Sequence, residues 1–190
     1  MNSVISPVRL GYEQYGVDGY YRLHSDDYEN PHFLDIKYLL ESYICDLDLN
    51  DSHISVLDLC CGSGEVTKIL QNSHLDKLDM KIEGVDPYTK NSYIKNTGLV
   101  CLDLDFKDIV NGKLSNKYYD IIICSFAMHL CELSMLNTLL YQLHLICDKL
   151  IILTPHKRPE INNWFLLEKE DKYNKVRLRV YISNRLLKCM

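Results

Sequence analysis

The stretch Val56-Leu57-Asp58-Leu59-Cys60-Cys61-Gly62-Ser63-Gly64-Glu65-Val66-Thr67 decides how the rest of the chain is read. An apolar run ends in a turn of small residues with two glycines, and helix-compatible sequence follows. A strand that stops at Cys60 or Cys61 and bends at Gly62 points backbone N–H groups, at the start of the next helix, into a crevice suited to the polar end of a nucleotide-like ligand. Gly62 and Gly64 have no Cβ, so a ligand can lie directly on the backbone. Asp58, just before the turn, supplies a carboxylate to meet a ligand ammonium.

The residues that follow narrow the ligand. A dinucleotide fingerprint wants a third glycine three residues after the second, and that position is Thr67. The Gly-Lys-Ser/Thr ending of a nucleotide-triphosphate loop is absent. Further on, Lys81-Ile82-Glu83-Gly84-Val85-Asp86-Pro87 reads as a second strand ending in an acid placed to accept from ribose hydroxyls. The pattern favours an adenosine-bearing ligand without a pyrophosphate.

On these residues the chain resembles the class I S-adenosylmethionine-dependent methyltransferases, in order from about Ser55 to Thr154. Val56 to Gly64 stands at that family's first motif and Gly84-Val85-Asp86 at its ribose acid. Asp105-Phe106-Lys107-Asp108-Ile109 is similar to its adenine-contacting segment. Tyr119 to His129 is similar to its fourth strand and active-site loop. The resemblance implies S-adenosyl-L-methionine as cofactor. Asp58 would face its amino group, Gly62 and Gly64 would lie beneath the same portion, with Cys60 beside them, and Asp86 with Pro87 would take the ribose. Asp105 (or Asp103, if the third strand ends early) and Phe106 would meet the adenine, and Ser125 and Phe126 would border the methionine end. Where the family often has glycine this chain has Cys60, which implies modest crowding.

The alternation of strands and helices implies an α/β fold: a Rossmann-like, mostly parallel seven-stranded sheet with helices on both faces, closed by a C-terminal antiparallel hairpin. Strands are expected over 54–59, 80–86, 99–104, 119–125 and 150–153, and helices over 65–72, 89–96 and 133–147. The hairpin is expected over 164–168 and 176–183 with a polar turn at 171–174. Asn30-Pro31 reads as a helix start, and Phe33, Ile36, Leu39, Leu40, Tyr43 and Ile44 recur at helical spacing. The whole of 1–190 reads as one methyltransferase domain: a tyrosine-rich lid segment and helix over 1–50, a cofactor-binding core over 54–154, and the closing hairpin within 164–183.

Composition fits a globular chain, with 47% hydrophobic and 25% charged residues. No apolar run is long enough to span a membrane, and Met1 to Gly11 lacks the build of a signal peptide, so a cytoplasmic or nuclear protein is expected. The eight cysteines form no C-x-x-C pair, and free thiols without a bound metal are expected. The net charge of −5 is uneven: residues 149–190 carry ten Lys and Arg against four Asp and Glu. That basic end suits an anionic partner such as RNA, or simply lines the solvent face of terminal strands.

The acceptor side is thinly marked. The loop after the fourth strand lacks the Asn/Asp-Pro-Pro-Tyr/Phe tetrad associated with methylation of planar amide or amine nitrogens. His129 is a candidate general base, since imidazole titrates near neutrality, and Tyr21 a candidate from the lid. A small-molecule acceptor is favoured, RNA or protein second, with a catalytically silent sensor or scaffold as a different class. A monomer or weak oligomer is expected.

Overall fold

A computed structural model describes residues 30–45, 53–72, 79–161 and 163–187. The sheet is built from β1 (His53–Leu59), β2 (Asp79–Val85), β3 (Cys101–Leu102), β4 (Tyr119–Ser125), β5 (Cys147–Thr154), β6 (Phe165–Tyr173) and β7 (Val176–Ser183). The helices are α1 (Phe33–Cys45), α2 (Glu65–Asn72), α3 (Lys90–Thr97), α4 (Phe106–Val110), α5 (Leu133–Ile146) and α6 (Asn184–Leu187). Strand order is β3-β2-β1-β4-β5-β7-β6. The first five strands are mutually parallel, and β7 runs antiparallel to both neighbours.

Apolar residues on successive positions of the central strands go to opposite faces, because side chains alternate along a strand. Leu57, Leu59, Ile122, Cys124, Leu150 and Ile152 pack on the face covered by α5, whose Leu136, Leu139, Leu140 and Leu143 point inward. Val56, Ile121, Ile123, Ile151 and Leu153 pack on the other face, under α1 and α2. The chain runs outward from β1 to β3 and returns to β4. That reversal opens a crevice at the carboxyl ends of β1 and β4, where α/β sheets bind ligands. At the other end of the same pair, the Ser55 N–H and hydroxyl donate to Asp120 Oδ2 at 2.7 and 2.6 Å, and the Asp120 N–H donates to Ser55 Oγ at 3.0 Å.

Several boundaries differ from the sequence expectation. β3 is two residues long rather than spanning 99–104, because it is the sheet edge and the chain leaves β2 to place Asp105 as the N-cap of α4. β5 begins directly at Cys147, where the end of α5 was expected. β6 continues through the acidic and basic residues to Tyr173, tightening the turn to Asn174-Lys175; charges on an edge strand face solvent at little cost. Gly98 ends α3 in the left-handed conformation, φ 72°, and its N–H donates to the Ile94 carbonyl, as glycine allows. Asn30 accepts from the His32 N–H through its side chain, at 2.9 Å, ahead of α1.

Gly84 sits where the sheet meets α3. A Cβ there would lie 2.6 Å from the Tyr93 ring and 2.9 Å from the Cys61 sulfur. Tyr93 is fully buried, so neither neighbour has room to yield. Gly84→Ala is expected to destabilise the protein by about 1–3 kcal/mol through overpacking, read as a lower urea midpoint at unchanged m-value.

Candidate functional site

A cavity of about 330 Å³ opens at the carboxyl ends of β1, β2 and β4, a size typical of small-ligand pockets. Its floor is the turn Cys60-Cys61-Gly62, with Asp58 beneath. One wall carries Asp86, Pro87 and Tyr88, and another runs from Leu104 to Lys107 with Ile109. Ser125, Phe126 and Ala127 form the β4 side, and Asn30 and Ile36 close the cavity from α1 and its approach.

Asp58 lies inside β1 with only 1% of its surface exposed. Its Oδ2 accepts from the Thr67 hydroxyl at 2.7 Å and the Thr67 N–H at 3.2 Å. Thr67 Oγ1 lies 2.9 Å from the Tyr93 hydroxyl, so with Asp58 ionised Tyr93 donates to Thr67 and Thr67 to Asp58. The other oxygen, Oδ1, is buried without a partner. Burial raises the Asp58 pKa to about 8 against the Thr67 hydrogen bonds that lower it, with Glu65 and Asp86 adding repulsion. A buried, half-satisfied carboxylate is costly unless a donor or cation completes it.

Asp86 is fixed more fully: Oδ2 accepts from the Gly62 N–H at 3.2 Å, and Oδ1 from the Tyr88 and Thr89 N–H groups at 2.8 and 3.0 Å. This ties the glycine turn to the end of β2 and holds the carboxylate at the cavity wall. Asp105 caps α4, accepting from the Asp108 N–H at 2.8 Å in a reciprocal capping box, and also lines the cavity. Asp103 is exposed and does not line it, although β3 ends early. Ser125 Oγ is buried without a partner. Phe126 adopts φ 56°, its N–H donates to the Leu153 carbonyl at 2.8 Å, and its ring stacks on His32 at 5.3 Å.

Cys60 holds φ 57°, the left-handed region that favours glycine. The expectation of mild crowding is thus replaced by backbone strain: the bend itself demands the conformation. Contact with Cys124, then burial, push the Cys60 thiol well above the ordinary thiol range, so it is no ready nucleophile.

Gly64, expected beneath the ligand, does not line the cavity. Its missing side chain instead makes room for α3, since a Cβ would lie 2.5 Å from Thr97 Cγ2, and φ is 93°. His129 is off the wall too. It is exposed in the short 3-10 turn Met128–Leu130, with its ring 4.7 Å from that of His156; burial of part of the ring and the second imidazole lower its pKa. Tyr21 lies outside the described residues. The sequence reading missed Glu65, Glu132, Leu130 and Met135, all of which line the cavity. Glu65 opens α2, where a first-turn acid looks like dipole compensation alone.

Among the described residues no group of three or more His, Cys, Asp or Glu is placed to hold a metal ion, and no helix is long and apolar enough to cross a membrane. All seven cysteines among them are free thiols. Cys61 and Cys101 bring their sulfurs to 3.6 Å.

The fold matches that of solved methyltransferases. Magnesium protoporphyrin IX methyltransferase (ChlM) from Synechocystis PCC 6803, with bound S-adenosylmethionine, aligns at TM-score 0.61 and 13% identity over 96% of this chain and 100% of that one. The N-methyltransferase NodS from Bradyrhizobium japonicum WM9, in complex with S-adenosylhomocysteine, aligns at 0.61 and 10% over 91% and 98%. The CurJ carbon methyltransferase aligns at 0.62 and 14% over 94% and 61%. The fold is that of the class I S-adenosylmethionine-dependent methyltransferases. No family model matches the chain. It is 35% identical over 191 residues to the uncharacterised protein C17A5.05c of Schizosaccharomyces pombe, covering 81% of this chain and 76% of that one, and it belongs to that protein's family.

Two outcomes follow for ligand-free protein. Ionising Asp58 is disfavoured in the fold, so its raised pKa costs stability as pH climbs from the ordinary 3.8 towards about 8. Thermal melts across that range should show wild type losing stability relative to Asp58→Asn. At Cys60, removing the φ penalty should leave Cys60→Gly unchanged or more stable by up to about 1 kcal/mol, while the β-branched Cys60→Val loses about 1–2 kcal/mol. Equilibrium unfolding reads both.

Proposed function

We propose that the protein is a methyltransferase that takes its methyl group from S-adenosyl-L-methionine. The observation that carries this is Asp58, a buried acid that lines the cavity and keeps one carboxylate oxygen, Oδ1, without a partner. A cationic amine completes it, which a phosphate cannot. The residues present fit the cofactor. Asp58 would hold its amino group, the Cys60-Cys61-Gly62 backbone would lie beneath the amino-acid portion, and Asp86 with Pro87 would face the ribose. Asp105 and Phe106 would form the adenine wall, with Ser125 and Phe126 on the β4 side. Bound there, the sulfonium supplies an activated methyl group and a neutral thioether leaving group. The chain's part is then to hold and align, and to exclude water behind α1 and the Phe126–His32 stack.

The acceptor we favour is a small molecule. Besides the cavity's modest volume, the pairing of five of the ten basic residues of 149–190 supports this: Arg177 and Arg179 meet Glu170, Lys149 meets Glu168, Lys169 meets Asp171 and Arg185 meets Asp148. Those cations are engaged within the fold rather than offered to a polyanion. His129, off the wall, carries no catalytic role in this reading. The free thiols support a reducing compartment, cytosolic or nuclear.

Calorimetric titration should show binding of S-adenosylmethionine and its demethylated product and none of NAD. Asp58→Asn should weaken both by about 10–100-fold, as loss of a charge-assisted contact does. Labelled-methyl transfer into fractionated cell extract should mark the small-molecule fraction. Label in RNA or protein would reassign the acceptor, and label in none would make the protein a silent cofactor sensor.

A further inference from the structure

The cofactor site holds a second acid that the proposed chemistry does not use. Glu65, first residue of α2, lines the cavity beside Asp58. Burial raises its pKa against hydrogen bonds from its own backbone N–H, the Asn30 backbone and the Ser63 side chain, which lower it. Oε2 stands 3.4 Å from where a Cβ on Gly62 would be, directly over the glycine turn. Oε1 is buried and has no partner. Both acids line the cavity, and each keeps one carboxylate oxygen, Asp58 Oδ1 and Glu65 Oε1, buried without a partner.

We infer that Glu65 and Asp58 together form a two-carboxylate seat for the amino group of the bound adenosyl ligand, and that the site recognises that ligand through its amine rather than its carboxylate. This rests on the adenosyl-binding reading above. One ammonium carries three donors and can satisfy both orphaned oxygens at once. Among the described lining residues the one cation is Lys107, at the start of α4 on a different wall. Lys68 attracts Glu65 but does not line the cavity, so no Lys or Arg of the described wall stands with the two acids to receive a ligand carboxylate. Burial raises the pKa of both acids, and the negative charge of Glu65 contributes to the rise at Asp58. An ammonium between them removes that repulsion, which gives the site a reason to prefer a cation. Asn30, which lines the same cavity, accepts from the His32 N–H ahead of α1.

The test compares three ligands by calorimetry on wild type and Glu65→Gln: S-adenosylhomocysteine, its decarboxylated amine S-adenosyl-3-thiopropylamine, and methylthioadenosine, which lacks both groups. The expected order in wild type puts the amine and S-adenosylhomocysteine within about threefold of each other and methylthioadenosine at least about tenfold weaker. Glu65→Gln should weaken the two amine-bearing ligands by about tenfold or more and leave methylthioadenosine within about threefold. A variant that weakens all three equally, or a wild type in which losing the carboxylate costs as much as losing both groups, overturns the inference. If Glu65→Gln does not fold, the wild-type order decides alone. If methylthioadenosine binds and the amine adds nothing, the seat is refuted and the adenosyl reading stands; if no adenosyl compound binds, the adenosyl reading falls and takes the seat with it.

Discussion

One buried carboxylate organises the centre of this molecule. Asp58 points from a strand otherwise packed with aliphatic side chains, and an ionised acid there is tolerated only if its oxygens are met. Thr67 meets one oxygen twice, from its hydroxyl and its N–H. That requires α2 to start where it does, and so requires the tight turn at Cys60 to Gly64. Thr67 in turn leans on the Tyr93 hydroxyl, and Tyr93 reaches it only because Gly84 leaves the space its ring occupies. Four elements, β1, α2, β2 and α3, are thus placed by one polar chain. The oxygen left over is buried without a partner, in a residue that lines the cavity.

The glycines divide into two kinds along this chain. Gly62 belongs to the ligand side, since its N–H holds Asp86 and its face lies on the cavity. Gly64 and Gly84 belong to the packing side, one admitting Thr97 and the other Tyr93. A motif of small residues does both jobs at once, and sequence alone does not separate them. Cys60 shows the limit from the other direction. A non-glycine residue in the left-handed region is a local cost that the surrounding bonds overrule.

Much of the fold is legible in the sequence, because long apolar runs between turn residues have only one reading. β4 and α2 stand at the expected residues, the hairpin forms, and the sheet has the expected seven strands, mostly parallel. What escapes has physical causes. The short β3 depends on being an edge, which is a property of the sheet and not of residues 99–104. The length of β6 is hidden because a strand whose side chains reach solvent needs no apolar pattern. In the site, Asp58, Cys60, Gly62, Asp86, Pro87, Asp105, Phe106, Ser125 and Phe126 line one cavity. His129 does not, since the 3-10 turn after β4 swings it outward against His156 while its neighbours Ala127 and Leu130 face in. Glu65 was hidden by an ordinary explanation: an acid in a first helical turn needs no ligand to justify it.

The Ser55–Asp120 pair sits at the end of the sheet far from any ligand, yet it acts as a ratchet stop for the chemistry. Strand registers fail by whole residues, and a slip of one between β1 and β4 would turn every β1 side chain over. Asp58 would then be driven into the aliphatic layer under α5, away from Thr67 and from the crevice. The three interlocked bonds between Ser55 and Asp120 allow only the register in which Val56 lies opposite Ile121. Fidelity of alignment at the remote rim is therefore what guarantees that the acid arrives on the side where it is wanted.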